Sequence, residues 1–419
     1  KGRTTMILLQ NVFLNNKLCD ILINDNKIAK ISDKISICAD EVIDCTDKAI
    51  LPSFCNTHTH ASMMFLRGIG EDKNLQDWLN QEIFPREAKL KPEHIYPLSR
   101  YAILEMIKTG TTCFIDMYFH ISETLKAVEE MGLRAIIPYP GMDFFDEKEA
   151  DNRIKKATQY LNEAFPNPRI IKALFCHSVY TCSQKLIQGF SDLAKKYNTY
   201  LQIHVSEMQK EVDDCIQKYG CRPVELLHKW RVMGPKTLFA HAVHLNDDEI
   251  RLVKKTGTVL GHCPTSNLKL DTGQMSLQKY LDAGLKVTLG TDGVSSNNSL
   301  SMISEMKLAA LSAKNKANSV SAGRVEDVFK IATQNGFEAF GINAGEIKEG
   351  KLADFILVNM NNQFLLPNNN LKSNMIYAAD SSCISDVFCD GKPIMRNKII
   401  PHEAEIISEF KRVCADLSA

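Results

Sequence analysis

The sequence predicts an α/β protein, a (β/α)8 TIM barrel with a small β-sandwich domain built from both chain ends. Eight short apolar segments alternate with helical patterns between about residues 55 and 345, which matches a closed parallel barrel. The flanking segments are rich in strand and turn signals. No GxGxxG motif follows any predicted strand, which argues against an open doubly wound sheet. We therefore expect the N-terminal part of the sandwich at 1–54, the barrel at 55–347, and the C-terminal part of the sandwich with a terminal helix at 348–419.

The terminal segments show the alternation of apolar and polar residues that half-buried strands have. Near the N-terminus these segments are ILLQNVFLNN, CDILINDNKIAKIS and EVIDCTDKAILPSF, and near the C-terminus they are ADFILVNM and SDVFCDGKPIMRNKII. The tetrapeptides NDNK and CDGK are typical of tight turns between antiparallel strands.

The eight barrel strands are predicted in ILPSFCNTHTH, TTCFIDMY, RAIIPYP, IIKALFCHS, YLQIHVSE, KTLFAHAVHL, GTVLGHCPTS and LKVTLGTDG. Helices are predicted between them. In SQKLIQGFSDLAKKY, Leu186, Phe190 and Leu193 share one helical face, and Ser183 is placed to cap the N-terminus. In SETLKAVEEMG, apolar residues recur at helical spacing, and Gly132 suits the helix end.

Composition excludes several classes of partner. Lys and Arg number 50 and so do Asp and Glu, so no overall field favours nucleic acid or an anionic membrane. No apolar run approaches the roughly 18 residues that a membrane span needs. The 13 cysteines are scattered without a CxxC pair, which predicts reduced thiols and a cytoplasmic protein.

Histidines and carboxylates collect at the predicted strand ends. Of 11 histidines, seven lie there, and active sites of TIM barrels lie at the carboxyl ends of the strands. The residues in question are His58, His60, His177, His204, Glu207, His241, His244, His262 and Asp292.

The HxH pair formed by His58 and His60 predicts a metal site. Residues i and i+2 of an extended chain point the same way, so both imidazoles can face one ion. A catalytic Zn²⁺ takes three protein ligands and a water, and His204 and Asp292 from later strands would complete such a shell. Fe²⁺ and Mn²⁺ suit the same ligand types. The alternative is that the two histidines are merely hydrogen-bonded polar residues at a strand end.

Several ordered motifs resemble the amidohydrolase superfamily. They are FCNTHTHASMMFLRGIGEDKNLQDWL, HVSE, AHAVHL, GHCPTSNLKL and LGTDGVSSNNSL, and the branch they are most similar to is that of the 5-methylthioadenosine/S-adenosylhomocysteine deaminases, with triazine chlorohydrolases as near neighbours. The resemblance implies one divalent metal ion held by His58, His60, His204 and Asp292. It also implies a homo-oligomer. The fourth strand ends in LFCHS, without the lysine that bridges two metals in dinuclear members.

The resemblance further implies a reaction and its catalytic residues, Glu207, His241 and Asp292. A bound metal makes hydroxide available at neutral pH for attack at C6 of an adenine ring. Asp292 would accept the water proton, Glu207 would protonate the neighbouring ring nitrogen, and His241 would stabilise the developing charge. Ammonia would then leave.

Four further residues are expected to meet a small nucleoside substrate on the strength of the resemblance. Trp78 would pack against the sugar or thioether end, and Glu87 would accept hydrogen bonds from both ribose hydroxyls. His177 would touch the sugar or the substrate tail. Arg153, in the acidic stretch GMDFFDEKEADNR, would bind a homocysteine carboxylate. For each residue an ordinary alternative stands beside this role: a core tryptophan, a solvated glutamate or arginine, and a hydrogen-bonded histidine.

Two other functions stay open at this stage. One is an amidohydrolase acting on another ring, such as a guanine deaminase or a triazine chlorohydrolase. The other is a barrel that binds metal without catalysis. The HxE and PCxxC motifs of cytidine-type deaminases are absent, as are HExxH and GxSxG. We assign no role to His244 or His262.

Overall fold

The computed structural model describes residues 5–418, which form two eight-stranded sheets. The strands in chain order are β1 (Met6–Leu14), β2 (Lys17–Asn24), β3 (Lys27–Ser32), β4 (Glu41–Asp44), β5 (Lys48–Pro52), β6 (Phe54–Thr59), β7 (Thr111–Asp116), β8 (Arg134–Gly141), β9 (Ile170–Cys176), β10 (Leu201–Val205), β11 (Thr237–His241), β12 (Val259–His262), β13 (Lys286–Leu289), β14 (Phe355–Asn359), β15 (Ile384–Cys389) and β16 (Lys392–Met395).

The helices surround the second sheet and fill the long connections. They are α1 (Leu75–Trp78), α2 (Phe84–Glu87), α3 (Pro92–Lys108), α4 (Ile121–Met131), α5 (Glu147–Asn162), α6 (Gln184–Lys196), α7 (Gln209–Tyr219), α8 (Pro223–Lys229), α9 (Asp247–Thr256), α10 (Pro264–Lys269), α11 (Leu277–Asp282), α12 (Val294–Asn297), α13 (Met302–Ala317), α14 (Val325–Ala332), α15 (Gln334–Ala339), α16 (Leu371–Tyr377) and α17 (Glu403–Ser418). Short 3₁₀ helices cover Ala61–Leu66 and Ser381–Cys383, and a π-helix covers Leu79–Ile83. No helix among residues 5–418 is long and apolar enough to cross a membrane.

The first sheet joins the two chain ends, as predicted. Its order is β16-β15-β14-β5-β1-β2-β3, and β4 pairs separately with β1. A register shift between Leu9 and Val12 divides β1, so that its first half pairs with β4 and its end pairs with β5. β14 then runs antiparallel to β5, which attaches the C-terminal strands to the N-terminal ones. A buried core on this sheet draws apolar side chains from both ends of the chain.

The second sheet is the predicted barrel, and all eight predicted segments are strands in it. The strands are parallel and follow chain order from β6 to β13. Side chains close the seam between the first and last strands, because the Thr57 hydroxyl lies 2.8 Å from that of Thr288 and donates to the Leu289 carbonyl over 2.9 Å. Phe337 and Phe340 pack with apolar residues from the barrel strands in a separate buried cluster.

The predicted helix ends are also present. The Ser183 side chain accepts a hydrogen bond from the Leu186 N–H over 3.2 Å at the start of α6. Gly132 ends α4 with a φ of 81°, a left-handed conformation that glycine adopts without a side-chain clash. The connection from β6 to α3 contains α1, the π-helix and α2, so the long segment predicted after the first barrel strand is largely helical.

Candidate active site

Four side chains from three barrel strand ends meet at one point. His58 Nε2 lies 3.3 Å from Asp292 Oδ1 and 3.2 Å from His204 Nε2, and His60 Nε2 lies 3.1 Å from Asp292 Oδ1. A tetrahedral Zn²⁺ with bonds of about 2.05 Å places its ligand atoms about 3.3 Å apart. The three imidazoles and the carboxylate therefore have the mutual spacing that a single metal ion requires. His241 falls in the same cluster, since its ring, that of His58 and the Asp292 carboxylate form a second group of suitable spacing.

Neighbouring groups orient these side chains. His60 Nδ1 donates to the Met117 carbonyl over 2.6 Å, which leaves the lone pair of Nε2 facing the cluster. The Asp292 Oδ2 atom accepts from the Ser266 hydroxyl over 2.6 Å and from the Ser296 hydroxyl over 2.9 Å. The orientation of Asp292 is thus set by residues outside its own strand.

The charges of the cluster suit a cation. Burial lowers the pKa of His58 and takes that of His204 well below its usual range, so both rings are neutral at neutral pH. Burial by itself would lower the pKa of His60 and raise that of Asp292. The hydrogen bond with Asp292 outweighs burial at His60 and raises its pKa, and the bonds with His58 and His60 hold the pKa of Asp292 well below its usual range. An ionised carboxylate beside imidazole lone pairs in a buried site fits a divalent metal.

The backbone at three strand ends adopts left-handed conformations that residues other than glycine rarely use. The φ angles are 51° at Ser206, 69° at His241, 48° at Ala242 and 61° at Asp292. Such residues cost of order 1–3 kcal/mol each and persist where the surrounding structure holds them, as at functional sites.

Glu207 lies beside the cluster in the turn after β10. Its Oε1 atom is 3.8 Å from His241 Nδ1, and the side-chain amide of Asn267 is 3.0 Å from the same nitrogen. Glu211, on the first turn of α7, accepts from the backbone N–H groups of Ser206 and Glu207, each over 2.8 Å. Burial, with the charges of Asp292 and Glu211, raises the pKa of Glu207 well above its usual range. This shift favours the protonated form of the Glu207 carboxyl, which is the form that can donate a proton.

The cluster lies against the wall of a cavity with about 820 Å³ of empty space, its solvent-filled mouth included. His60, His204, Glu207, His241 and Asp292 line one side of it, and most of the remaining lining is apolar. The apolar and aromatic residues are Met63, Leu75, Trp78, Leu79, Ile83, Phe84, Met117, Tyr118, Phe119, Met142, Phe175, Tyr180 and Leu270. A concave, largely apolar site with a few convergent polar groups is typical of small-molecule binding.

A family model described as the amidohydrolase family matches residues 49–394. The chain belongs to the amidohydrolase family. It is 43% identical to the 5'-deoxyadenosine deaminase of Methanosphaera stadtmanae over 95% of each chain. It is 44% identical to the 5-methylthioadenosine/S-adenosylhomocysteine deaminase of Thermococcus sibiricus, over 90% of this chain and 89% of the relative. A crystal structure of an adenosine deaminase from Xanthomonas campestris with bound zinc has a TM-score of 0.92, at 28% identity, and covers 99% of this chain and 98% of its own. The predicted family, fold class and hydrolase class are confirmed.

In this amidohydrolase, three of the four residues expected to meet substrate line the cavity. Trp78 is buried at the end of α1, and Glu87 ends α2. His177 Nδ1 lies 2.9 Å from the Thr181 hydroxyl, and burial followed by the nearby His60 and His58 lowers the pKa of His177 to about 4.

Arg153 lies in a different place. It sits within α5 rather than in the loop before it, and its Nε donates to Glu149 over 2.5 Å. It lines a neighbouring groove that shares Phe119 with the cavity. A substrate contact of Arg153 therefore requires a ligand that extends past Phe119.

The two histidines without an assigned role are also placed by the structure. His244 Nε2 donates to the Thr272 carbonyl over 2.6 Å. The ring of His262 is buried, and neither of its nitrogens has a hydrogen-bond partner in the described residues.

Several supporting residues carried little signal in the sequence. Ser266 and Ser296 lie in the motifs GHCPTSNLKL and LGTDGVSSNNSL, but nothing local marks them as partners of Asp292. Glu211 lies four residues after Glu207. The HxxExxxE spacing of His204, Glu207 and Glu211 is the one sequence feature that could have indicated its supporting role.

Proposed function

We propose that this amidohydrolase is a metal-dependent hydrolytic deaminase of adenosine-type nucleosides. The observation that carries the proposal is the position of the buried Glu207 carboxyl, which lies 3.8 Å from His241 Nδ1 and lines the same cavity as the metal-type cluster. Ring deamination needs both a source of hydroxide and an acid, and this arrangement offers both. The similarity to relatives named as deaminases of 5'-deoxyadenosine, 5-methylthioadenosine and S-adenosylhomocysteine supports the same reaction.

His58, His60, His204 and Asp292 would hold the ion, and the set of three nitrogens and one oxygen suits Zn²⁺ first, with Fe²⁺ or Mn²⁺ as alternatives. When bound, the ion supplies water whose pKa is lowered towards about 7. The neutral rings of His58 and His204 and the ionised carboxylate of Asp292 are already in the protonation states that metal ligands need. The pKa of His60 is raised, so binding of the ion there would displace a proton.

The residues around the cluster divide the proton transfers. Asp292 accepts the proton that water loses as its oxygen attacks C6. Glu207 donates a proton to the ring nitrogen next to C6, and His241, oriented by Asn267, stabilises charge on the attacking oxygen. Asp292 then passes its proton to the amino group, the C6–N bond breaks to release ammonia, and the proton of the new C6 hydroxyl returns to Glu207. Nucleoside and water thus become an inosine-type product and ammonia. Acid–base assistance of this kind contributes about 10²–10⁴-fold in rate.

The cavity lining favours a nucleoside with a small, uncharged 5' group. Trp78 would pack against the sugar end, His177 would touch the sugar, and Glu87 would accept from the ribose hydroxyls. The apolar lining suits 5'-deoxyadenosine or 5-methylthioadenosine. S-adenosylhomocysteine is less well matched, because the Arg153 guanidinium is in the neighbouring groove and paired with Glu149.

An ammonia-release screen of metal-analysed protein tests the proposal. The substrates are 5'-deoxyadenosine, 5-methylthioadenosine, S-adenosylhomocysteine, adenosine, adenine, guanine and a chlorotriazine. We expect turnover of the adenosine-type nucleosides, and we expect Glu87→Ala to lower kcat/KM for them by about tenfold or more while affecting adenine little. Glu93→Ala, at an exposed position on α3, is the matched control. Turnover of guanine or the triazine alone, or equal effects of Glu87→Ala on nucleoside and free base, would contradict the proposal.

A further inference from the structure

A buried tyrosine stands behind the residue proposed to bind ribose. The Tyr118 hydroxyl donates to Glu87 Oε1 over 2.7 Å, and both residues line the cavity. Tyr118 is 1% exposed, so its ring has no freedom to leave this position without disturbing the packing around it.

The Tyr118 hydroxyl is a fixed donor to the Glu87 carboxyl. Burial, together with Glu87, raises the pKa of Tyr118 well above its usual range, so the hydroxyl keeps its proton. Burial raises the pKa of Glu87, and the bond from Tyr118 opposes that shift and favours the ionised carboxylate. An ionised carboxylate is an acceptor at both oxygens, which recognition of two neighbouring hydroxyl groups requires.

Tyr118 also belongs to a segment that holds the metal-type cluster. Asp116 Oδ1 accepts from the Ala61 N–H over 2.8 Å. The Met117 N–H donates to the Thr59 carbonyl over 2.9 Å, and the Met117 carbonyl accepts from His60 Nδ1 over 2.6 Å. Three consecutive residues at the end of β7 therefore bond to residues 59–61 on one side and to Glu87 on the other. The distance between the reacting end and the sugar end of the cavity is defined by this segment.

We propose that Tyr118 is a positioning residue that holds Glu87 for ribose recognition and so sets the preference for nucleosides with 2'- and 3'-hydroxyls. The inference rests on the proposed function, in which Glu87 accepts hydrogen bonds from the ribose. Tyr118 acts through Glu87 and has no part in the proton transfers.

The test is the Tyr118→Phe variant, which keeps the ring and removes the donor. We expect KM for adenosine to rise about tenfold, because the hydrogen bond that positions Glu87 is lost, with kcat within about twofold. KM for 2',3'-dideoxyadenosine is expected to change less than about twofold, so the preference for the ribonucleoside falls. In a Glu87→Ala background, Tyr118→Phe should have no further effect on that preference. Tyr197→Phe is the matched control, since it removes a hydroxyl that donates over 2.9 Å to Asn162 outside the cavity.

Equilibrium binding separates this inference from the proposed reaction. Calorimetric binding of adenosine and 2',3'-dideoxyadenosine, measured with and without Tyr118→Phe in a Glu207→Gln background in which turnover is suppressed, reports the sugar preference. If the protein binds adenosine in preference to the dideoxynucleoside but the wild type releases no ammonia, the proposed deaminase reaction is refuted. The role of Tyr118 is then tested by the binding preference of Tyr118→Phe alone. Equal losses for the two sugars, an unchanged preference in Tyr118→Phe, or a wild type without any preference would each overturn the role of Tyr118.

Discussion

Removing the hydroxyl of Ser266 tests whether Asp292 is held in place for metal binding by its serine neighbours. Asp292 Oδ2 accepts from Ser266 over 2.6 Å and from Ser296 over 2.9 Å, while Oδ1 accepts from the Gly293 N–H over 2.8 Å. Asp292 is 7% exposed, so bulk water is poorly placed to replace a lost donor. A hydrogen bond to a charged group contributes about 1.5–3 kcal/mol, and about 1.4 kcal/mol corresponds to tenfold in affinity.

For Ser266→Ala we therefore expect Zn²⁺ affinity to fall about tenfold, at the lower end of the range because Ser296 still donates to the same oxygen. The double variant Ser266→Ala/Ser296→Ala is expected to lose more than the product of the two single effects, since each serine partly replaces the other. Titration of metal-free protein with Zn²⁺ against a chromogenic chelator measures the affinity, and thermal unfolding monitors the fold. Ser191→Ala, at a buried serine on α6, is the control. Unchanged affinity in the double variant would refute the reasoning.

Three further predictions concern the acid, its supporting carboxylate and the barrel seam. Glu207→Gln removes the transferable proton, so kcat should fall about 10²–10⁴-fold with bound zinc unchanged by elemental analysis; loss of zinc would make Glu207 a ligand instead. Burial raises the pKa of Glu211 from 4.5 to about 7, so its contribution to stability is complete below pH 4.5 and is lost as pH rises through 7. Glu211→Gln should therefore make the free energy of unfolding less pH-dependent between these values, by up to about 1.4 kcal/mol per pH unit, in denaturant titrations; an unchanged slope would contradict this. Gly290→Ala places a Cβ 2.8 Å from the His58 backbone nitrogen and should cost about 1–3 kcal/mol, whereas Gly234→Ala, with open space around it, should leave the unfolding midpoint nearly unchanged; equal midpoints would contradict the clash.

The barrel and its strand-end residues were predictable because their signals are local. Each buried strand is a short apolar run, and the alternation with helices implies a parallel sheet without any knowledge of contacts. Parallel strands bring their carboxyl ends to one edge, so His58, His60, His204 and Asp292 were expected together before any distance was known.

The supporting contacts were not predictable in this way. Ser266 and Tyr118 lie on connections whose paths depend on packing, and each contacts a partner more than 20 residues away in the chain. For Arg153 the sequence suggested a contact that the structure places elsewhere. Its position after the third barrel strand suggested a substrate contact, but α5 begins at Glu147, so Arg153 lies within this helix and pairs with Glu149.

The sequence by itself determined the α/β class, the eight strands, the family resemblance and the types of side chain at the strand ends, because these depend on periodicity and motif spacing along the chain. Tertiary structure alone decided which groups orient those side chains and which of them share a cavity. It also decided that the pKa of Glu207 is raised and that of Asp292 is lowered, because a pKa shift depends on burial and on charges from distant segments. Chemistry at this site therefore depends on residue types written in the sequence and on an environment that only folding creates.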